Sequence, residues 1–128
     1  MLQAYSNNIA FVDTAAIPLN NIVIRKGCTA VLGSPATIEL NKAGVYMVHC
    51  DATAAAGGGT VQMYKDGVAQ PFAKTVLDAD SGSFESLVQV PENNTNCCCL
   101  TSPTTLQFIF DETTAATGDI NVVVTKLC

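Results

Sequence analysis

Short stretches in which apolar and polar residues alternate, separated by turn-forming residues, recur along the chain. In residues 37–40, Ile38 and Leu40 fall on one face and Thr37 and Glu39 on the other, the period of two that a half-buried strand requires. Asn41, Lys42, Ala43 and Gly44 supply a turn. Residues 45–52 then run without breakers, and here the alternation fades. Tyr46, Val48, Cys50 and Ala52 point one way, and Val45, Met47 and His49 the other, so the strand is largely apolar on both faces. In a small antiparallel protein such a strand predicts that its second face meets another subunit. The rest of the chain reads as further strands laid beside this one.

Upstream, residues 8–14 predict a strand with Ile9 and Phe11 on one face, broken by Pro18 and Asn20-Asn21, which leaves residues 1–8 as a polar N-terminal arm suited to docking. Residues 22–24 and 28–32 are two short strands, the second ended by Gly33-Ser34-Pro35. Downstream, Gly57-Gly58-Gly59 marks a loop, and in residues 60–65 Val61 and Met63 alternate with Gln62 and Tyr64. Asp66-Gly67 suits a type I′ hairpin turn, with a return strand expected to stop near Pro71. Residues 73–83 fit either an edge strand or an exposed loop. Strands are expected at 84–90, 97–100, 104–110 (Leu106, Phe108 and Phe110 inward) and 120–127 (Ile120, Val122 and Val124 inward). About ten short strands at this spacing, with no amphipathic helical stretch, predict an all-β sandwich of antiparallel sheets.

Composition narrows the function classes. With 128 residues the chain is expected to form one domain, and 48% hydrophobic against 13% charged residues excludes disorder. A net charge of −5, with Arg25-Lys26 the only adjacent basic pair, argues against nucleic acid, whose phosphates need clustered cations. Few charges leave much of the surface to Ala, Thr, Ser and Asn, which favours assembly. MLQAYSNN has neither the basic nor the apolar region of a secretory signal, and no apolar run reaches the roughly 20 residues of a spanning helix. Synthesis in a cytoplasm without membrane insertion is expected.

Candidate chemistry is sparse. Of the six cysteines, Cys97, Cys98 and Cys99 are adjacent, and Cys28, Cys50 and Cys128 stand apart. Neighbours on a strand alternate faces, so only Cys97 and Cys99 share a side, unlike the spacing of zinc sites. Buried thiols acting as small hydrophobes are the expected state, with disulfides formed in an oxidising medium as the alternative. The single histidine, His49, and its neighbour Cys50 point to opposite faces and so cannot form a nucleophile–base pair; a packed or interface histidine is expected. Asp78, Asp80, Glu85 and Glu92 lack the ordered ladder of a calcium loop and read as a solvated acidic face. Gly57-Gly58-Gly59 lacks the Lys-Ser/Thr pair of a phosphate loop, and the Asn93-Asn94-Thr95 sequon has no secretion signal to support its use. No catalytic residue, cofactor or metal ligand is expected.

With these elements in place, residues 37–69 resemble the core of the C1q/TNF-like jelly roll, whose G-x-Y strand is here Gly44-Val45-Tyr46. FESLVQVPENN and LQFIFDETTAATGDINVVVTKL are similar to later strands of that fold. A more specific likeness is to small C1q-like proteins of tailed phages of gut bacteria, carried by Gly27-Cys28, residues 40–49, 87–91, 97–99 and 121–128. The resemblance spans residues 8 to 128 but rests on architectural motifs, and there is no collagen-like stalk. It implies a two-sheet jelly-roll homotrimer whose inner sheet surrounds the threefold axis. Residues 9–13, 45–52, 104–110 and 120–127 would form that sheet, with Phe11, Val45, Met47, His49, Ile109 and Val123 as candidate contacts. The implied role is a capsid decoration or head-fibre protein on the virion surface, bound to itself and to capsid or other virion proteins. The alternative is an adhesion module reading host or mucosal glycans through loops 78–83 and 93–96. The absence of Trp and an aromatic content of only 6% weigh against that alternative.

Overall fold

Ten strands make up most of the described residues of the computed structural model, which are 1–27, 29–54, 59–77, 81–91, 103–111 and 116–128. In chain order they are β1 (Leu2–Phe11), β2 (Asn21–Arg25), β3 (Ala30–Ser34), β4 (Thr37–Leu40), β5 (Gly44–Ala54), β6 (Thr60–Lys65), β7 (Val68–Val76), β8 (Ser81–Val90), β9 (Thr104–Asp111) and β10 (Ala116–Lys126). They form two five-stranded sheets, ordered β2-β1-β10-β5-β8 and β3-β4-β9-β6-β7. Every pairing within the sheets is antiparallel. There is no helix among the described residues.

The core is the space between the sheets, and alternation fills it. Tyr46, Val48, Cys50 and Ala52 of β5, Phe84, Val88 and Val90 of β8, and Ile120, Val122 and Val124 of β10 face inward from the first sheet. Ile38, Leu40, Val61, Met63, Leu106, Phe108 and Phe110 meet them from the second. Each of the Val, Leu, Ile, Met and Phe side chains among them contributes roughly 1.5–3 kcal/mol through the water it leaves behind. Phe84 of β8 and Phe108 of β9 pack across the gap with centroids 6.3 Å apart. The Asp66-Gly67 turn has the two positive φ values, 51° and 80°, of the expected hairpin.

Three expectations need correction. Residues 1–8 are not a free arm. Leu2, Ala4 and Ser6 are fully buried, because β1 starts at Leu2 and pairs with β10 along one edge and β2 along the other. Small Ala4 and Ser6 hide this from a hydrophobicity pattern. The Ser6 hydroxyl donates to Pro18 O and accepts from Asn20 N, both at 2.7 Å, so its burial is satisfied. A register shift between Ser6 and Ile9, with Asn8 at φ 55°, explains why only the second half of β1 looked like a strand.

The return strand does not end at Pro71. β7 continues to Val76, which Pro71 permits because β7 is an edge strand and needs no ladder bond on its outer side. Residues 104–110 do not join the first sheet. β9 lies at the centre of the second, between β4 and β6. Within the chain only one face of β5 is buried. Its inward residues are core, while on the other face Met47, Asp51 and Thr53 are exposed and Val45 and His49 half-buried. The expected strand at 97–100 and the loop at 57–58 lie outside the described residues.

Candidate functional site

Apolar side chains and a charged cluster meet on the outer face of the first sheet. The antiparallel register sets its rows. Leu87 of β8, Met47 of β5 and Thr125 of β10 lie in line, and the next row holds Glu85, His49, Val123 and Gln3. A third holds Ser83, Asp51, Asn121 and Tyr5. Period-two geometry forces this, since residues opposite an outward residue are themselves outward. Leu87 is 59% exposed, an unusual position for a leucine in a regular strand.

His49 is the focus of the face. Its Nε2 lies 2.8 Å from Asp51 Oδ2 on the same strand, and its Nδ1 lies 3.1 Å from Glu85 Oε1 on β8. Partial burial pulls the imidazole pKa down, but hydrogen bonding and charge from Asp51 and Glu85 more than offset this, leaving it above the ordinary 6.5. Cys50, one residue on, points into the core, where burial and the Asp51 charge push its thiol far above the usual range. The two side chains therefore lie on opposite sides of the sheet. Beside the cluster is a shallow cleft of about 150 Å³ lined by Asn7, Asp51, Ala52, Thr53, Asp119, Ile120 and Asn121. Asp119 accepts the Asn8 amide at 2.6 Å, and Asn121 accepts from Gln3 Nε2 at 3.1 Å, so both are engaged in holding β1 to β10.

The six candidate contact residues divide. Val45, Met47, His49 and Val123 share this face. Phe11 does not: it is fully buried in the core against Phe110, and no partner reaches it. Ile109 lies on the second sheet, where the residue before Ile17 bridges it and it lines a cleft of about 220 Å³ with Thr14, Gln62, Tyr64 and Asp111. The resemblance implies both as contacts, but Phe11 points inward from the first sheet and Ile109 belongs to the second, so neither lies on this face.

Other apolar surface was not expected from the sequence. On β7, Val68, Phe72 and Val76 are each more than three-fifths exposed. β7 and β8 are the corresponding edges of the two sheets, and Gly82 of β8 packs against Thr75 and Val76. Ile22, Val23 and Ile24 on edge strand β2 are also exposed. The i, i+4 recurrence of Val68, Phe72 and Val76 does not put all three on one side, because a register shift in the β6–β7 pairing sets Val68 opposite Lys65 and Val76 opposite Thr60, on opposite faces of β6. Of the acidic set, Glu85 is described, while Asp78, Asp80 and Glu92 lie outside the described residues, as do Cys28, Cys97, Cys98, Cys99, the sequon, and residues 78–80 and 93–96 of the loops assigned to glycan reading; residues 81–83 begin β8.

No family model matches the sequence, and no curated relative is found. Solved structures do match. The globular domain of zebrafish complement 1qA protein superposes with a TM-score of 0.76 at 6% identity, covering 99% of this chain and 96% of that one. The PRD1 vertex protein P5 gives 0.70 at 14% identity over 99% and 96%. Rabbit GITRL gives 0.60 at 11% identity over 100% and 95%. The chain thus has the two-sheet antiparallel jelly roll of C1q and TNF-family proteins. No helix among the described residues is long and apolar enough to cross a membrane.

Proposed function

We propose that this chain is a self-associating structural protein of a tailed-phage particle, a homotrimeric capsid decoration or head-fibre protein at the virion surface. The observation that carries the self-association is the pair of unlike apolar surfaces: the Met47, Leu87 and Val123 region of the sheet face, and the Phe72 and Val76 region of the β7 edge. Two different patches on one molecule favour a head-to-tail contact, and such contacts close into rings when the rotation allows. The likeness to C1q-like proteins supports a ring of three. The likeness to the PRD1 vertex protein supports a virion setting, on fold alone.

Two measurements test this in sequence. Light scattering at several dilutions is expected to give three times the chain mass, and a monomer at all concentrations would remove the assembly. Purified protein titrated onto undecorated capsids is expected to bind saturably. Absence of saturation would rule out decoration while leaving the trimer intact.

A further inference from the structure

Every acceptor around His49 makes the same demand. Both ring nitrogens face carboxylate oxygens, at 2.8 and 3.1 Å, and an ionised carboxylate only accepts hydrogen bonds. Neutral imidazole has a single N–H. It can satisfy Asp51 or Glu85, and must then present a lone pair to the other. Only imidazolium, with two N–H donors, satisfies both. The proton thus selects between a closed cluster and an open one on the surface assigned above to contact between copies.

We propose that the His49–Asp51–Glu85 cluster is a proton-dependent lock on self-association, closed while His49 is an imidazolium and released as it loses its proton. This rests on the assembly reading above. The surroundings leave His49 as the group that responds near neutral pH. From β10 it faces Val123, with Asn121 and Thr125 on either side, none of them ionisable in this range. Beyond β10 stand Gln3 and the phenol of Tyr5 on β1. Asp51 shares its strand and Glu85 comes from β8, while Asp119 further along β10 holds the Asn8 amide. Met47, next outward residue on β5, and Leu87 opposite it bring the apolar contact surface against the cluster.

With the proton, the three groups carry a single net negative charge; without it they carry two, and one carboxylate loses its donor. Covering an unpaired carboxylate with a partner is costly, whereas a paired one is tolerated. Association therefore raises the affinity of His49 for its proton, and by linkage the proton strengthens association. The sign follows. Stabilisation is complete below the pKa of the free chain, which already lies above 6.5, and is lost as pH rises through the higher value in the assembly.

The test is sedimentation and light scattering of the full chain under reducing conditions, at several dilutions from about pH 6 to about pH 9, the range that brackets a raised histidine. The wild type is expected to hold its trimer at the acid end and dissociate as pH rises. Its association constant should fall about tenfold per pH unit for each linked proton. His49→Gln is expected to lose that dependence, and Asp51→Asn combined with Glu85→Gln to associate equally across the range. Thermal melts of each variant establish that it is folded. A wild-type trimer whose mass does not respond to pH overturns the lock alone, as does an unchanged pH dependence in His49→Gln. A monomer under every condition overturns the assembly reading, and the lock with it.

Discussion

Phe11 of β1 and Phe110 of β9 meet between the two sheets, with ring centroids 5.4 Å apart and planes inclined at 55°. Each ring comes from a different sheet, so the contact joins the layers directly, and tilted geometry suits the quadrupoles of both. Gly118 of β10 packs against the Phe11 ring and Thr53 O, leaving no room for a larger residue. Phe11→Ala is expected to destabilise the fold by about 3–5 kcal/mol, the range for removing a buried aromatic ring. Chemical denaturation of the variant checks this; a loss of less than about 1 kcal/mol would mean the site collapses around the gap.

Gly44 sits at φ 142°, and a β-carbon there would run into Cys128 O and the Lys126 side chain. The closeness has a use. Val45 N donates to Cys128 O at 3.1 Å and Leu127 N donates to Val45 O at 2.7 Å, tying the C-terminus to the start of β5. Gly44→Ala is expected to cost about 1–3 kcal/mol from backbone strain and to open these bonds. Faster hydrogen exchange at Val45 and Leu127 than in wild type would be the local signature.

Met47 and Leu87 face each other on the exposed side of β5 and β8. Met47→Glu with Leu87→Glu is expected to abolish self-association by placing carboxylates in the contact. The stability of the isolated chain should change by no more than about 0.5 kcal/mol per site, as for exposed positions. Mass in solution and a melt of the same sample separate the two effects.

Cys50 and Cys128 are chemically opposite among the described cysteines, the first buried with its thiol pKa pushed up, the second exposed. Brief alkylation of native protein, mapped by peptide mass, is expected to label Cys128 and spare Cys50 until denaturant is added. Rapid labelling of Cys50 without denaturant would show that β5 opens readily.

In the isolated chain, NMR of the sole histidine is expected to give a pKa above 6.5 that falls when Asp51 is replaced by Asn. The small stability this pair adds is present below pH 6.5 and lost as pH rises through the raised value. The ring is partly exposed, so solvent screens the effect. A pKa unchanged by Asp51→Asn would mean the 2.8 Å contact is not held in solution.

Much of the fold was legible from period-two alternation. It placed Leu106, Phe108 and Phe110 inward, found Asp66-Gly67 as a hairpin, and separated Tyr46, Val48 and Cys50 from Val45, Met47 and His49. Each of these depends on neighbours a few residues away, or on turn geometry that particular residues favour. The opposite facing of His49 and Cys50 was legible for the same reason.

Alternation says nothing about which strand lies beside which. Ile109 and Val123 have similar local patterns, yet their strands fall in different sheets, and Phe11 belongs to the core because β9 brings Phe110 opposite it. Leu2–Ser6 became part of an interior strand of a sheet only by pairing with residues nearly the whole chain away. The clamp on His49 divides along the same line: Asp51 is two residues on and shares its face by period alone, whereas Glu85 arrives through the register of β5 on β8. Local sequence determined which way each side chain faces, because that is set by backbone geometry. Tertiary structure decided what each side chain meets, because strand order is chosen by the burial of the whole core.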